Sequence, residues 1–417
     1  MRAKERYEAS YDRCGDWGNK PLRKYIHCLS HRYALRLLSS NFFGRLPNGM
    51  GALAIVLFLR AHNVPYGQVG AVAALYGLCS AVGGPTLGRL VDQHGQSLTL
   101  LVGAVVSGAG FLLLALLGAA SFPVALAGVA LAGFFMPPLE PSLRSMWPSV
   151  LPDQATVEVA YALDSALQNI LFVAGPLLVV ALVGMTSATA TLVVIGALGA
   201  LGTLIFVVIP PVRLWRGEPR ARDWAGALRS RLLLILLVSM MCVGAVVGVF
   251  NVTTVAYSEQ QHLPGYSGVL LGAFSLGSLV GGLAYGAKGW TGPPLRRLML
   301  LLLGLAAFVW PLATVVGATG MTLLMTLAGL GLAPVLTCSF VLIGKIAPRG
   351  TVTEAFAWVT AVFLGGSALG SAVSGALLPL TGLSFTFALA GLTATAAFLV
   401  VLAAVPRRPA ELTVGSS

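Results

Sequence analysis

Ionised side chains are scarce in this sequence. Only 10% of its 417 residues are Asp, Glu, Lys or Arg, whereas an ordinary soluble domain carries about 25%. Hydrophobic residues make up 57% of the chain. A chain of this composition could not cover its own surface in water, but a bilayer requires about 20 consecutive apolar residues for each helical crossing. The composition therefore excludes an ordinary soluble domain and predicts an all-α integral membrane protein.

Cysteine is also scarce, with five residues and no CxxC pair. Cys14, His27, Cys28 and His31 are close in sequence, but their spacing fits no common zinc finger. The first 30 residues contain no apolar run, so no secretory signal opens the chain. We expect neither a metal site nor a cofactor.

The sequence lacks the motifs of enzymes that hydrolyse nucleotides, peptides or esters. There is no G-x-x-x-x-G-K-[ST] phosphate loop, no HExxH and no GxSxG. No apolar segment carries the repeated arginines of a voltage sensor. We therefore expect no enzymatic activity, and any work done by the protein must draw on a gradient of an ion or substrate.

Apolar segments divide the chain into two sets of six. The first set lies at about 37–60, 66–88, 98–119, 122–147, 157–182 and 186–210. The second set lies at about 232–257, 266–288, 295–316, 319–345, 352–379 and 384–405. This pattern predicts a polar, basic and poorly ordered tail (1–34), a six-helix half (35–210), a charged linker (211–231), a second six-helix half (232–406) and a polar end (407–417).

The net charge of +12 is distributed unevenly. If the N-terminus is cytoplasmic and the chain crosses twelve times, nearly all Lys and Arg clusters fall on the cytoplasmic side, and Arg60 is the exception. This is the positive-inside asymmetry of membrane proteins. We expect a multi-pass protein of the cell (inner) membrane with both termini in the cytoplasm, and we do not expect it to bind nucleic acid.

The two halves repeat each other in sequence. The segments 131–158 and 327–354 align without a gap at an offset of 196, so that Pro138 meets Pro334 and Glu158 meets Glu354. An even number of spans in each half keeps both halves in the same orientation. Parallel repeats of this kind build a central cavity in one superfamily of transporters.

The loop after the second apolar segment reads Gly88-Arg89-Leu90-Val91-Asp92-Gln93-His94-Gly95. It resembles the signature G-x-L-x-D-x-x-G between spans two and three of the major facilitator superfamily, although Gln96 and Ser97 stand where the family usually has basic residues. The resemblance covers about residues 35–406.

The resemblance implies twelve spans, alternating access, and a gating loop formed by Gly88, Asp92 and Gly95. It places Asp92 near Thr351–Glu354 at the start of the eleventh span. It also favours proton-coupled export of a small amphipathic or drug-like molecule; the direction rests on the resemblance alone. The alternative reading of the loop is a plain turn between helices.

Polar residues within the first apolar segment share one helical face. Asn41, Arg45 and Asn48 are spaced i, i+4, i+7, and Pro47 interrupts the same stretch. Arg45 suits a carboxylate, either on the substrate or on another span. The alternative is an anchor near the cytoplasmic end of the helix.

The fourth and fifth segments carry more ionisable residues. Glu140 and Arg144 form an i, i+4 pair that either closes an inner gate with Glu158 or Asp164 or is a local pair. Asp164 shares a face with Gln168 two turns into the membrane, where burial favours the protonated acid. We predict that Asp164 couples transport to protons, unless it pairs permanently with Arg144.

The second half offers fewer candidates. Asn251, Thr254 and Ser258 form a polar stripe that predicts either cavity lining or helix packing. Trp358 could stack on a flat substrate. Glu354 matches Glu158 at the equivalent depth, which predicts a gating role for both.

Two other functions remain open from the sequence. One is a proton-coupled importer of a sugar or organic acid, with Arg45 binding the carboxylate. The other is a sensor or scaffold that transports nothing. For the transporter, the partners we expect are a small molecule, protons and the lipid bilayer, and we expect a monomer. The richness in Ala, Gly and Leu suggests a bacterial source.

Overall fold

Long apolar helices make up most of the chain. The computed structural model describes residues 21–118, 120–218, 226–263, 265–290 and 292–404, and these residues form helices and loops with no strand among them. Eleven helices are long and apolar enough to cross a membrane. The last has 53 residues and turns at Gly382, where φ is 77° and ψ is 178°, so it accounts for two crossings. The twelve crossings agree with the prediction.

The spans are numbered in chain order. The first half contains span 1 (Ala34–Gly44 and Leu46–Ala61), span 2 (Tyr66–His94), span 3 (Gln96–Leu117), span 4 (Phe122–Phe134 and Leu139–Val150), span 5 (Gln154–Met185) and span 6 (Ala188–Val207). The second half contains span 7 (Arg231–Gln260), span 8 (Tyr266–Ala287), span 9 (Pro294–Val309, extended by the 3₁₀ turn Trp310–Thr314), span 10 (Ala318–Ile346), and spans 11 and 12 (Val352–Ala404). Between the halves lie the short helix Pro210–Leu214 and the 3₁₀ helix Gly226–Arg229.

Alternate crossings give the molecule two sides. We call the side on which span 6 ends and span 7 begins the linker side, and the opposite one the far side. Spans 1, 5, 7 and 11 begin on the linker side, whereas spans 4 and 10 end there. The loops at residues 95, 151–153, 288–290 and 347–351 also lie on the linker side.

A helix precedes span 1, contrary to the expectation of a poorly ordered tail over 1–34. Pro21–Ser30 form this N-terminal helix, and Tyr25 and Cys28 are buried in the main core. Helices this short are marginal on their own, so packing supplies most of the stability. Residues 1–20, with Cys14, and 405–417 lie outside the described residues.

Two spans of the first half are broken, and proline explains both breaks. Span 1 is interrupted at Arg45, because Pro47 lies in the first turn of the following helix segment and has no N–H to donate. Span 4 is interrupted between Phe134 and Leu139, where Pro137 and Pro138 stand in sequence. The equivalent spans 7 and 10 are continuous; span 10 contains the single Pro334. The two halves therefore differ at these equivalent spans, since only the spans of the first half are broken.

Candidate functional site

Four charged side chains form a closed ring between spans 1, 4 and 5. Nη1 of Arg45 donates to Oδ1 of Asp164 at 2.5 Å, and Nε of Arg144 donates to Oδ2 of the same carboxylate at 2.6 Å. Glu140 completes the ring by pairing with Arg144 and with Nη2 of Arg45, the latter at 3.1 Å. All four side chains are buried. We call this set the charge ring.

The two helix breaks hold the charge ring in place. Arg45 lies at the break in span 1, and Glu140 lies in the first turn after the break in span 4. The side-chain amide of Asn41 joins the breaks by donating to the carbonyl of Leu139 at 2.7 Å. Backbone groups freed within a membrane must find such partners, because no water replaces them.

The charge ring lies inside the helix bundle, away from the ends of its spans, and is neutral as a whole. Asp164 is ten residues from the start of span 5, or about 15 Å along the helix axis at 1.5 Å per residue. Two arginines balance two carboxylates. Loss of one partner from a buried pair leaves an uncompensated charge and destabilises by about 3–5 kcal/mol.

Aromatic side chains cover the charge ring on its linker side. The guanidinium carbon of Arg144 lies 3.5 Å from the centroid of the Phe340 ring, which belongs to span 10 in the other half. Phe340 packs edge-on against Tyr161 and Phe356, with centroids 6.3 and 6.2 Å away. These three residues form an aromatic layer in which spans 5, 10 and 11 meet.

A polar contact closes the linker side beyond the aromatic layer. The carboxylate of Asp92 accepts hydrogen bonds from the backbone N–H groups of Thr353 at 3.1 Å and Glu354 at 2.9 Å. Asp92 therefore caps span 11 from the other half, where its charge also complements the helix dipole. The hydroxyls of Ser145 and Thr353 add a contact at 3.1 Å.

The two glycines of the signature loop have separate geometric roles. At Gly88 an added Cβ would lie 3.1 Å from the Cβ of Ala357 and 3.2 Å from the carbonyl of Thr353, so the residue allows spans 2 and 11 to approach closely. Gly95 has a φ of 94°, a conformation that residues other than glycine rarely adopt. The loop thus places Asp92 against span 11, as the resemblance implies.

Glu158 and Glu354 have different surroundings despite their equivalent positions. Both carboxylate oxygens of Glu158 accept hydrogen bonds from Arg297 in span 9, at 3.1 and 3.2 Å. This is an ion pair between the two halves. The carboxylate of Glu354 lies against Gly226 in the linker.

Three side-chain amides lie on the far side of the charge ring. Asn48, three residues beyond Arg45, and Asn251 in span 7 are both exposed. Gln168, one turn beyond Asp164, is half-buried, and its Oε1 accepts no hydrogen bond from the described residues. A side-chain amide facing lipid would be unfavourable, so we expect these three amides to face water or a polar ligand.

Two further hydrogen bonds join the halves near the middle of the spans. Ser165 meets Thr337 at 3.2 Å, and Asn169 donates to Ser278 at 3.1 Å. Together with the contacts of Asp92, Glu158 and Phe340, they close the linker side.

The polar residues predicted to form a stripe on span 7 do not form one exposed surface. Thr254 is buried and donates to the carbonyl of Phe250, and Ser258 is buried and donates to the carbonyl of Leu263. Trp358 is half-buried against the core of the closed side. Of these candidates in the second half, only Asn251 is exposed, as Asn48 is in span 1.

For Arg45 the sequence left two possibilities open, a carboxylate of the substrate and a carboxylate on another span. The structure shows the second, since Arg45 pairs with Asp164 and Glu140 in the charge ring and is 2% exposed. Sequence reasoning missed Arg297, Tyr161, Phe340 and Phe356. For Arg297 the available signal was its place beside the equally basic Arg296, and for the aromatic residues no pattern distinguishes a gate from ordinary packing.

The sequence matches the family model of the Major Facilitator Superfamily over residues 37–325. The chain belongs to the Major Facilitator Superfamily. It is a multi-pass membrane protein with the transporter fold of that family. No curated protein matches the sequence.

Solved structures of Major Facilitator Superfamily transporters resemble the chain in fold. The human organic anion transporter MFSD10 (TETRAN) is 16% identical with a TM-score of 0.69, covering 88% of this chain and 99% of its own. A bacterial homologue of the iron transporter ferroportin in an outward-facing state is 17% identical with a TM-score of 0.69, covering 89% and 99%. The E. coli fucose:proton symporter FucP (N162A) is 12% identical with a TM-score of 0.66, covering 88% and 97%. At these identities the likeness concerns the fold.

Proposed function

We propose that the protein is a secondary transporter that exports a small, uncharged or amphipathic molecule in exchange for protons. The halves rock about the middle of the membrane, so that the linker side and the far side open in turn. The observation that carries the proposal is the charge ring, which has side-chain amides on its far side and is covered on its linker side by Phe340. The positive-inside asymmetry supports a cytoplasmic linker side in a cell membrane. The conformation described here is then outward-facing.

The charges of the spans support a substrate without a strong ionic group. Of the Asp, Glu, Lys and Arg residues in the described spans, the four of the charge ring lie farthest from the span ends; every other one lies within about one and a half turns of a span end. Asn48, Gln168 and Asn251 offer neutral amides that bind hydroxyl, amide or carbonyl groups. Arg45 is already neutralised by two carboxylates, which weighs against the importer of an organic acid.

Asp164 is the residue we assign to the proton. Protonation of Asp164 in the closed ring would leave its two arginines with one carboxylate between them, which is unfavourable in a buried site. A proton is therefore taken up when movement of the halves uncovers the ring and rearranges its pairs. Movement of Phe340 away from Arg144 links that rearrangement to opening of the linker side.

Reconstituted liposomes with a pH-sensitive dye inside test the proposal. A pH gradient is imposed, and a panel of uncharged and amphipathic compounds is screened for coupled proton flux. Asp164→Asn and Glu140→Gln are compared, because each removes one carboxylate from the same ring. We expect Asp164→Asn to lose proton flux and retain exchange of labelled for unlabelled compound, while Glu140→Gln retains both.

Two outcomes contradict the proposal. If the compound moves in the wild type without protons, the protein is a uniporter or uses another ion, and Asp164 is a structural partner of Arg144. If no compound moves in the wild type, and Asp164→Asn and Glu140→Gln do not differ from it, the protein is a sensor or scaffold. Accumulation of labelled compound in cells, rather than its depletion, would show that the protein imports the compound.

A further inference from the structure

The N-terminal helix bridges the two halves on the linker side. Nζ of Lys24 donates to the carbonyl of Ala287 at 2.6 Å, and the hydroxyl of Tyr25 donates to the carbonyl of Leu283. Both acceptors belong to span 8. One turn farther along the same face, Cys28 lies 3.9 Å from the carbonyl of Thr156 in span 5. The helix therefore rests on one span from each half.

A cavity of about 560 Å³ lies beside this bridge. Its walls come from the N-terminal helix, from the start of span 5 and from the loop that joins spans 8 and 9. Ligand cavities range over about 300–1,000 Å³ and occur preferentially where domains meet. This cavity has both properties, and it is separate from the charge ring and from the amides on its far side.

The side chains that line the cavity are predominantly basic. Arg23, Lys24 and Lys288 bring three positive charges, and His27 adds an imidazole. Among the described residues of the lining, Glu158 is the one acid, and both its oxygens are engaged by Arg297. The cavity therefore carries an excess of positive charge within a small volume, which attracts an anion.

An aromatic surface lies next to these cations. The indole of Trp290 stacks on Tyr285 with ring centroids 4.9 Å apart, and the ammonium of Lys288 lies 4.5 Å from the indole centroid. The indole N–H is satisfied by the carbonyl of Tyr285 at 2.8 Å. The part of Trp290 that lines the cavity is thus apolar, so the cavity pairs positive charge with an apolar contact.

We propose that this cavity binds the phosphate group of an amphipathic molecule, with the cations of the N-terminal helix and Lys288 holding the phosphate. Phosphate presents several oxygens and can accept from several cations at once. The molecule is either a membrane lipid with an anionic headgroup or a free phosphorylated compound. Because spans 5 and 8 belong to different halves, opening of the linker side separates the walls. The bound molecule therefore favours the closed linker side and regulates the transporter.

The test is a binding measurement on the full chain in a nonionic detergent, and it does not depend on transport. The thermal unfolding midpoint is recorded during titration with dihexanoyl phosphatidic acid, inorganic phosphate or dihexanoyl phosphatidylcholine. Arg23→Gln/Lys288→Gln is compared with Lys345→Gln/Arg349→Gln, which removes two charges from the same side away from the cavity. Arg23, Lys288, Lys345 and Arg349 are exposed, so both variants should fold.

We expect phosphatidic acid to raise the midpoint of the wild type and of the control variant, and its half-saturating concentration to rise at least tenfold in the cavity variant. Stabilisation by inorganic phosphate at a similar concentration would identify a free phosphorylated compound as the source; stabilisation by the lipid alone would identify a headgroup. The proposal is overturned if no anion stabilises the wild type, if phosphatidylcholine acts equally well, or if both variants lose the effect together.

Discussion

Arg144 and Phe340 occupy equivalent positions of the two halves, 196 residues apart in sequence, and in the structure they meet across the interface, 3.5 Å from guanidinium carbon to ring centroid. The repeat thus places a cation in one half and an aromatic face in the other at the same position. Their contact joins the charge ring to the second half, and it exists while the linker side is closed.

Replacement of the aromatic face should loosen this closure. A desolvated cation–π contact contributes about 2 kcal/mol, so Phe340→Leu should raise the labelling rate of a reporter, Ser145→Cys, by up to about 30-fold in a chain whose native cysteines are replaced by alanine. The control is Phe250→Leu, since Phe250 packs only against Phe274 and Phe387 of its own half among the described aromatic rings. Equal labelling rates in the two variants would show that Phe340 does not keep the linker side closed.

The Asp92 cap on span 11 should help to keep the linker side closed, whereas a cap within one helix should not. Asp92→Ala removes a cap supplied by the other half, whereas Asp153→Ala removes a similar cap from span 5, where Asp153 accepts from its own helix at Thr156. Each should cost about 0.5–2 kcal/mol of stability. Both should lower the unfolding midpoint, but only Asp92→Ala should accelerate labelling of the Ser145→Cys reporter. Acceleration in both would indicate a general loss of stability.

The charge ring should respond to the balance of its charges. Asp164→Asn leaves two arginines with one carboxylate and should destabilise by about 3–5 kcal/mol. Adding Arg45→Gln restores one cation to one carboxylate and should recover part of that loss. Thermal unfolding in detergent measures both variants. If the second substitution lowers stability further, the stability of the ring depends on the packing of its side chains rather than on the balance of their charges.

The ion pair between Glu158 and Arg297 should couple the halves measurably. Their side chains are 14% and 8% exposed, so water screens the pair weakly. In a double-mutant cycle with Glu158→Gln and Arg297→Gln, we expect a coupling energy of about 0.5–3 kcal/mol. Additive effects would contradict an interaction between the two residues. The readout is the unfolding midpoint, with the Ser145→Cys labelling rate measured in parallel.

Cys28 should report the position of the N-terminal helix. Burial raises the pKa of the Cys28 thiol to about 12, and the nearby carboxylate of Asp153 adds to the shift. Because the thiolate is the reactive form, maleimide labelling of a docked Cys28 should be slow and should rise about tenfold for each pH unit from 7 to 10. An undocked thiol has a pKa of about 8.5, so its labelling should level off above that pH. Tyr25→Phe removes the hydrogen bond to span 8. The pH dependence of Cys28 labelling in this variant should therefore approach that of an undocked thiol.

The sequence predicts the architecture well, because each span must satisfy its own backbone within lipid. Apolar runs locate the crossings, and Pro47 locates the break in span 1. The N-terminal helix escaped prediction because packing against spans 5 and 8, rather than a periodic apolar face of adequate length, stabilises it. The position of Asp92 near span 11 was implied by the resemblance of the loop to the family signature, and the structure shows this contact.

The charge ring shows where sequence reasoning stops. Arg45, Arg144 and Asp164 were each identified as candidates, since ionisable residues inside spans are rare. Arg45 and Asp164 are 119 residues apart, and their pairing depends on how spans 1, 4 and 5 pack. The role of Phe340 depends on an interface between halves, and nothing in its local sequence distinguishes it from other phenylalanines.

The breaks in spans 1 and 4 have a mechanical consequence. A continuous helix resists bending, whereas a segment joined at a proline break can pivot with little loss of hydrogen bonding. Because Arg45 and Glu140 stand at these pivots, a change in the charge of the ring acts on the joints themselves and requires no transmission along a rigid helix. Spans 7 and 10 have no such break, so we expect the first half to bend more easily than the second half at these positions.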